Sequence, residues 1–385
     1  MFIASLLVLG WTPAFASAET LDFEAAVRAA VDQGADARIV SAEADRARAE
    51  ARGYAAWQGN PELDVEHLPG ETTLSVTVLV ELAGQPIVRA SAARRSREAT
   101  DLRAEAGRAA VGAAAGASYL DAVRAHEQAE LAGAAEALAT RLRDAAVRRA
   151  ESGDISRVES ALLQAEGARA LDTVLSLQRD AEAALRRLGV LTGQDAAPAV
   201  GGWPTLPEPP SVEPAELPTI VAAGLETRAA LARLTAERLD RVPDLHLRGG
   251  WSFGEHVGPV YGAAIEIPLF APGAAKVRVA RAEADIADAQ ASREVLDVRA
   301  SIADARAELA IAERVSAAWD IPGLDAALDA AGRRYEVGEA SLTTFVAERD
   351  LALAALGGAI DARWRLERAR LALWELAGQL PLEER

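Results

Sequence analysis

The sequence contains the same short pattern twice, as RRAESGDIS at residues 148–156 and as RRYEVGEAS at residues 333–341. The two copies are 185 residues apart, and LTGQ at 191–194 returns as LAGQ at 376–379 with the same offset. Near the front of each half, PEL at 61–63 pairs with PDL at 243–245. Two matches at one offset, far apart in the chain, indicate an internal duplication.

The duplication divides the 385-residue chain into four segments. We expect a signal peptide at 1–18, a first structural repeat at 19–197, a Pro-rich connector at 198–218 and a second structural repeat at 219–385. The signal peptide is predicted from an apolar run that ends in Ala16-Ser17-Ala18, an A-x-A cleavage pattern; the alternative is a buried first helix. Proline lacks an N–H donor and fixes φ, so the connector should be extended.

Helical periodicity and helix breakers predict similar helices in the two halves. The predicted helices are 21–57 with Thr20 as its N-cap, 86–151, 156–188, 219–241, 274–336 with an interruption at 319–323, and 341–377. The first long helix carries apolar residues at the heptad spacing of a coiled coil. At about 1.5 Å per residue it would be roughly 100 Å long, which favours a bundle of long rods over a globular core. The helix before the third strand is shorter than its counterpart in the first half.

Each half also contains two runs that alternate with period two, which is typical of strands with one apolar face. The apolar positions, predicted to face lipid, are Leu74, Val76, Val78, Val80, Trp251 and Phe253. The alternate positions, predicted to face a lumen, are Glu62, Asp64, Glu66, His246 and Arg248. Four strands cannot close a barrel, since the smallest outer-membrane barrels have eight, whereas three chains would supply twelve. The alternative is a small soluble sheet with one wet face.

Composition excludes several classes of protein. The absence of cysteine removes disulfides, thiolate metal sites and catalytic thiols. The formal net charge of −17 argues against nucleic acid and suits cationic cargo. The histidines do not cluster and Met1 is the sole methionine, so we predict no metal site and no cofactor. No Gly-rich phosphate loop and no H-x-x-x-H pair is present, so we expect no enzyme and no catalytic residue.

The order of these motifs resembles the TolC-type outer membrane factor family (outer membrane efflux proteins), and within it the heavy-metal cation (CzcC- or CusC-like) branch. The motifs are NPEL at 60–63, VELAG at 80–84, IPLF at 267–270, SLTTFV at 341–346 and the two Gly-containing turns. The resemblance implies an α+β membrane protein. Its long α-helical barrel (a coiled-coil bundle) would lie in the periplasm, and four β-strands per chain would form a trimeric 12-stranded transmembrane β-barrel in the outer membrane of a Gram-negative bacterium.

The resemblance also implies a function and partners. The chain would be a homotrimeric channel subunit of a tripartite (RND-type) efflux system. The channel would lie in outer-membrane lipid and conduct its substrate passively to the exterior. It would dock onto a periplasmic membrane-fusion adaptor and an inner-membrane RND pump. Heavy-metal cations are the favoured substrate, with drug and small-organic efflux or a type I secretion duct left open. A periplasmic coiled-coil scaffold is the alternative from another class.

The two Gly-containing turns are, by the resemblance, the sites that receive the adaptor's hairpin. The residues concerned are Gly153, Asp154, Ser156, Gly338, Glu339 and Ser341. The pore tip would be formed by Glu159, Tyr335, Thr344 and Glu348, and in a trimer each acid becomes part of a ring that selects ions by sign. The alternatives are that the glycines only end helices and that the acids lie on a solvated helix face.

One contact at this tip can be predicted from the duplicated layout. Tyr335 lies three residues before Gly338 and Glu159 lies six residues after Gly153. The two helices should be neighbours, so the Tyr335 phenol should reach the Glu159 carboxylate and hold a closed gate. The alternative is that Tyr335 only packs against the neighbouring helix.

Overall fold

The computed structural model describes residues 20–55, 60–153, 155–194, 200–254, 257–266 and 273–382. The predicted signal peptide, Asp154 and the IPLF motif at 267–270 lie outside these residues. The helices are α1 Phe23–Gln33, α2 Ala35–Ala55, α3 Gln85–Glu151, α4 Arg157–Thr192, α5 Pro218–Leu239, α6 Gly273–Ser316, α7 Ile321–Glu336 and α8 Leu342–Leu376, with a 3₁₀ turn at Pro214–Glu216 before α5. The strands are β1 Glu62–Leu68, β2 Glu71–Val80, β3 Asp244–Gly254 and β4 Gly258–Glu266.

The predicted helices are present, although α4 continues to Thr192 beyond its expected end at 188. The first helix needs two corrections. Its N-cap is Asp22, whose Oδ1 accepts a hydrogen bond from Ala25 N at 2.6 Å, and not Thr20. The expected single helix is also broken between α1 and α2 at Gly34. A Cβ at Gly34 would lie 2.8 Å from the Leu191 carbonyl oxygen, so α1 ends where a distant segment approaches its backbone.

The shorter helix before the third strand is also confirmed. α1 and α2 contain 11 and 21 residues, whereas α5 contains 22. The second long helix is interrupted as predicted, but at 317–320 rather than at 319–323. Residues 321–323 begin α7 instead, because a proline is tolerated in the first helical turn and the Asp320 carboxylate caps the helix, accepting from Gly323 N at 3.3 Å. α3, its counterpart in the first half, is continuous over 67 residues.

The four strands form one antiparallel sheet in the order β1-β2-β3-β4. The register pairs Val65 with Leu74 and Leu74 with Trp251, so apolar side chains from three strands share one face. Polar side chains share the other face, where Glu62 pairs with Thr77 and Thr77 with Arg248. Within the described sheet, β1 and β4 are the edge strands.

The chain folds into two compact units that do not coincide with the two halves of the sequence. Of the described residues, the first unit contains those within 20–34, 114–206 and 312–368. The second contains the described residues within 35–113, 207–311 and 369–382, including the sheet. Each unit therefore combines segments of both repeats.

Each unit has its own apolar cluster. In the first unit, α3, α4, α7 and α8 bury a group that we call the turn cluster: Leu138, Leu142, Ala146, Leu163, Ala331, Tyr335 and Phe345. In the second unit, Val212 and Leu217 of the connector are buried with Ile302 and Ala377. The described part of the connector has little regular structure, and it is anchored by these buried side chains.

Candidate functional site

The apolar face of the sheet is exposed to an unusual degree. Trp251 and Phe253 are 46% and 49% exposed, and Leu63 of β1 is 67% exposed. The further exposed apolar side chains of this face are Val65, Leu74, Val76, Leu247, Tyr261 and Ile265. Of the predicted lipid-facing residues, Val78 and Val80 are half-buried and the other four are exposed. A contiguous apolar surface on a sheet marks a site that something else must cover.

The polar face of the sheet holds all five predicted lumen residues. The Asp64 carboxylate accepts from Thr77 Oγ1 at 3.0 Å, which joins β1 to β2. Arg248 of β3 lies across β2 toward β1, with Nη2 3.5 Å from Glu66 Oε2. The strand register agrees with the alternation in the sequence, and Asp64 and Glu66 are joined to the neighbouring strands by a hydrogen bond and an ion pair. Their function in a lumen stays a prediction.

The two Gly-containing turns have the same backbone conformation. Gly153 and Gly338 both have φ of +80°, a left-handed conformation that glycine adopts without a steric penalty. Around Gly338, Glu339 N donates to Arg334 O at 2.9 Å, a six-to-one hydrogen bond that closes a helix C-terminus. Helix termination therefore accounts for both glycines. Adaptor docking is a separate role that stays a prediction.

Both turns restart the chain with a serine N-cap. Ser156 Oγ accepts from Glu159 N at 3.1 Å, and Ser341 Oγ accepts from Thr344 N at 3.2 Å. An N-cap hydroxyl satisfies a backbone donor that has no partner inside the helix. The Gly-acid-x-Ser spacing that the two halves share thus encodes a helix end and a helix start.

The predicted contact between the halves is present at the tip. Tyr335 Oη donates to Glu159 Oε1 at 3.4 Å, which is long for an O–H···O bond. The Tyr335 ring is 3% exposed and lies 5.3 Å from the Phe345 ring, so the residue also packs in the turn cluster. Burial raises the pKa of Tyr335 above its ordinary value, and the negative charge of Glu159 adds to that shift. The phenol is therefore a neutral donor at physiological pH.

The other predicted tip residues have separate surroundings. Thr344 is exposed, and its hydroxyl lies 2.9 Å from Ser341 Oγ. Glu348 is half-buried and accepts from Arg334 Nη1 at 2.8 Å, which links α8 to α7. Glu339 is exposed. In the second half, Thr344 occupies the position that Glu159 holds in the first, so one chain has a single Tyr–Glu contact here.

Two buried ion pairs were not predicted from the sequence. Arg349 of α8 is 7% exposed and donates to Glu166 of α4 at 2.9 Å. Arg89 in α3 is buried against Glu81, which follows β2. The Arg349–Glu166 pair spans 183 positions in sequence and carries no local signal. The Arg89–Glu81 pair does, because an acid at a strand end is followed eight positions later by a base.

Among the described residues, no three His, Cys, Asp or Glu side chains are grouped so as to hold a metal ion. In the same residues, no helix is both long and apolar enough to span a membrane.

The fold is that of outer-membrane channel proteins. The structure of CusC, reported with its transmembrane channel formation, aligns with a TM-score of 0.79 and 16% identity over 93% of this chain and 92% of CusC. The CmeC outer membrane channel of Campylobacter jejuni aligns with a TM-score of 0.76 and 16% identity over 93% of this chain and 86% of CmeC. The outer membrane protein VceC of Vibrio cholerae aligns with a TM-score of 0.74 and 18% identity over 93% and 96%.

A relative in sequence adds a more particular resemblance. The cobalt-zinc-cadmium resistance protein CzcC of Cupriavidus metallidurans is 26% identical over 299 residues, which are 73% of this chain and 72% of CzcC. No protein-family model matches the chain. These comparisons confirm the resemblance to outer membrane factors that the sequence motifs indicated. The proteins compared are a resistance protein and membrane channels, in agreement with the expectation that the chain is not an enzyme.

Proposed function

We propose that this protein is the outer-membrane channel subunit of a tripartite efflux system. It works as a homotrimer and conducts its substrate passively, and the substrate is a heavy-metal cation. The observation that carries the proposal is the sheet, which exposes an apolar face and gathers carboxylates on the other. That distribution suits a wall between lipid and a watery lumen.

The unpaired edges of the sheet support a trimer. An exposed edge strand presents a row of backbone donors and acceptors that pairs with another strand. Pairing β4 of one protomer with β1 of the next, three times, would satisfy the outer edges of both strands and close a ring of twelve. Twelve strands are within the range of outer-membrane barrels, whereas four are not.

The acids of β1 favour cations as the cargo. Three copies of Glu62, Asp64 and Glu66 would line one wall, and rings of carboxylates select cations. The name of the relative CzcC, a cobalt-zinc-cadmium resistance protein, points to the same class of substrate. Conduction needs no tight binding site, so a scattered set of acids is sufficient.

The two turns are where we expect the partners to act. Each contains a left-handed glycine and a serine N-cap, so the two turns offer a docking partner similar backbone features. The periplasmic adaptor would engage these turns and the inner-membrane pump would supply the energy. Engagement would separate Tyr335 from Glu159, and the loss of this contact would open the tip.

The proposal can be tested in a strain that lacks the gene. The deletion should raise sensitivity to cobalt, zinc or cadmium salts, and the intact gene should restore resistance. The matched control is a variant in which Val76 and Val78 are both replaced by Asp. This change places charge on the apolar face and should not restore resistance. A deletion strain that is sensitive only to organic drugs would instead assign the channel to drug efflux, and unchanged sensitivity to both would contradict the proposal.

A further inference from the structure

Arg248 is the sole Lys or Arg side chain on the four strands as described. The same strands carry acids on the polar face at Glu62, Asp64, Glu66, Glu71, Asp244 and Glu266. A single cation among six acids has a large influence on the local field, because charges close together on one surface interact strongly.

The position of the guanidinium is fixed by contacts on two other strands. Nε donates to Ser75 Oγ of β2 at 2.8 Å, and Nη2 lies 3.5 Å from Glu66 Oε2 of β1. Gly250, which pairs with Ser75, has no side chain, and a Cβ there would lie 2.6 Å from the Ser75 Cα. Because Nε donates to Ser75 Oγ, the guanidinium lies over Ser75, which is 1% exposed.

Arg248 offsets one acid and leaves its neighbours charged. No other Lys or Arg side chain of the described strands can offset Glu62 or Asp64, and the hydrogen bond described for Asp64 comes from the neutral Thr77 hydroxyl. On β4, the polar-face residues level with these acids are uncharged: Gly258, Val260, Gly262 and Ala264. The polar face of each chain thus combines an acidic strip on β1 with one cation between β3 and β1.

We propose that Arg248 is a specificity-determining residue that limits the cation preference of the channel by neutralising Glu66. The proposal rests on the proposed function, because it assigns the polar face to the lumen wall. Three arginines in a trimer would hold the cation preference below the value that nine β1 carboxylates would otherwise give. Such a limit lets the counter-ions of a divalent cargo pass the same wall.

The test is the reversal potential of the full-length protein in planar bilayers under a KCl gradient. Arg248→Gln should raise the cation-to-anion permeability ratio by about two-fold, since it removes one positive charge per chain from the wall. Arg248→Lys should leave the ratio at the parent value. Arg248→Gln combined with Glu66→Gln should also return it to the parent value, because the pair is then removed as a whole.

Two further variants separate charge from structure. Ser75→Ala removes the hydrogen bond to Nε but no charge, and should leave the ratio unchanged. Glu66→Gln alone leaves Arg248 without its acid, and should lower the ratio by about two-fold even if Arg248→Gln fails to assemble. A ratio that stays constant in both Arg248→Gln and Glu66→Gln channels overturns the role of Arg248 alone. A protein that assembles but conducts no ions, even when Tyr335→Phe is introduced to open the tip, contradicts the proposed function instead.

Discussion

The turn cluster buries its apolar side chains, whereas the sheet leaves the apolar side chains of one face exposed. In the turn cluster, Leu142 and Phe345 are 1% and 0% exposed, because four helices of the same chain cover them. On the sheet, Trp251 and Phe253 are about half exposed, although they are larger than most core side chains. Burial of an apolar side chain contributes roughly 1.5–3 kcal/mol, so a folded chain rarely leaves a whole face uncovered.

The difference shows which apolar surface one chain covers by itself and which it leaves uncovered. The turn cluster is stabilised by contacts that one chain supplies. The apolar face of the sheet has its stabilising neighbours elsewhere, in lipid according to our proposal. A soluble sheet with one wet face, the alternative considered from the sequence, would place polar residues on the exposed side. The wide apolar exposure favours the membrane.

The largest effect is expected in the turn cluster. Leu142→Ala should lower the free energy of unfolding by about 2–5 kcal/mol, because it leaves a cavity among packed side chains. Leu351→Ala is the matched control on α8, where the leucine is 73% exposed, and should change it by less than about 0.5 kcal/mol. Thermal loss of the helical circular-dichroism signal measures both. Equal losses of stability in Leu142→Ala and Leu351→Ala would mean that the Leu351 side chain is buried in the trimer.

The sheet should respond to charge on one face only. Val78→Arg places a guanidinium on the apolar face and should cost about 2–4 kcal/mol if that position is near the middle of the bilayer. Thr77→Arg, one residue earlier, places the same group among the acids of the polar face and should be tolerated. Heat resistance of the trimer in detergent distinguishes them. Equal tolerance of the two changes would show that the apolar face does not contact lipid.

The glycine of the second turn should show a smaller effect. Gly338→Ala should lower the free energy of unfolding by about 1–2 kcal/mol, because an alanine is strained at φ of +80°. A Cβ there would have no neighbour within 4 Å, so no steric clash adds to this cost. Gly133→Ala, in the middle of α3 and equally open, should stabilise by about 1 kcal/mol. Thermal unfolding again gives the comparison. A neutral Gly338→Ala would mean that the turn relaxes to another conformation.

The smallest effect is expected at the tip. The 3.4 Å hydrogen bond should contribute about 0.5–1.5 kcal/mol. Tyr335→Phe and Glu159→Gln should each raise the resting conductance a few-fold, and the double variant no further than the larger single change. Additive effects would show that the two residues act independently.

The raised pKa of Tyr335 gives this contact a pH dependence. The folded state favours the neutral phenol. The stabilisation of the closed tip by Tyr335 is therefore present below the ordinary tyrosine pKa of about 10 and is lost as the pH rises through the raised pKa. The leak of the parent channel should increase above about pH 10. Tyr335→Phe should remove that increase, and an unchanged alkaline increase in this variant would assign it to another group.

Much of this structure could be predicted from the sequence because its signals are local. Alternation gave the strands and their two faces, and the repeated Gly-acid-x-Ser pattern gave both helix reversals. The Tyr335–Glu159 contact could be predicted only because the duplicated layout makes α4 and α7 neighbours at the tip. The close approach of the Leu191 carbonyl oxygen to Gly34, 157 positions away in sequence, could not. The Arg349–Glu166 and Arg248–Glu66 ion pairs could not be predicted either, because each joins two residues that are far apart in sequence.

The central claim is that three copies of this chain form a cation-conducting pore in a membrane. The most direct test is single-channel recording of the purified, detergent-extracted trimer in a planar lipid bilayer. We predict stepwise conductance with a reversal potential on the cation-selective side, and loss of insertion in Val78→Arg. Folded protein that resists heat as a trimer yet gives no conductance, with or without the tip substitutions, would contradict the account.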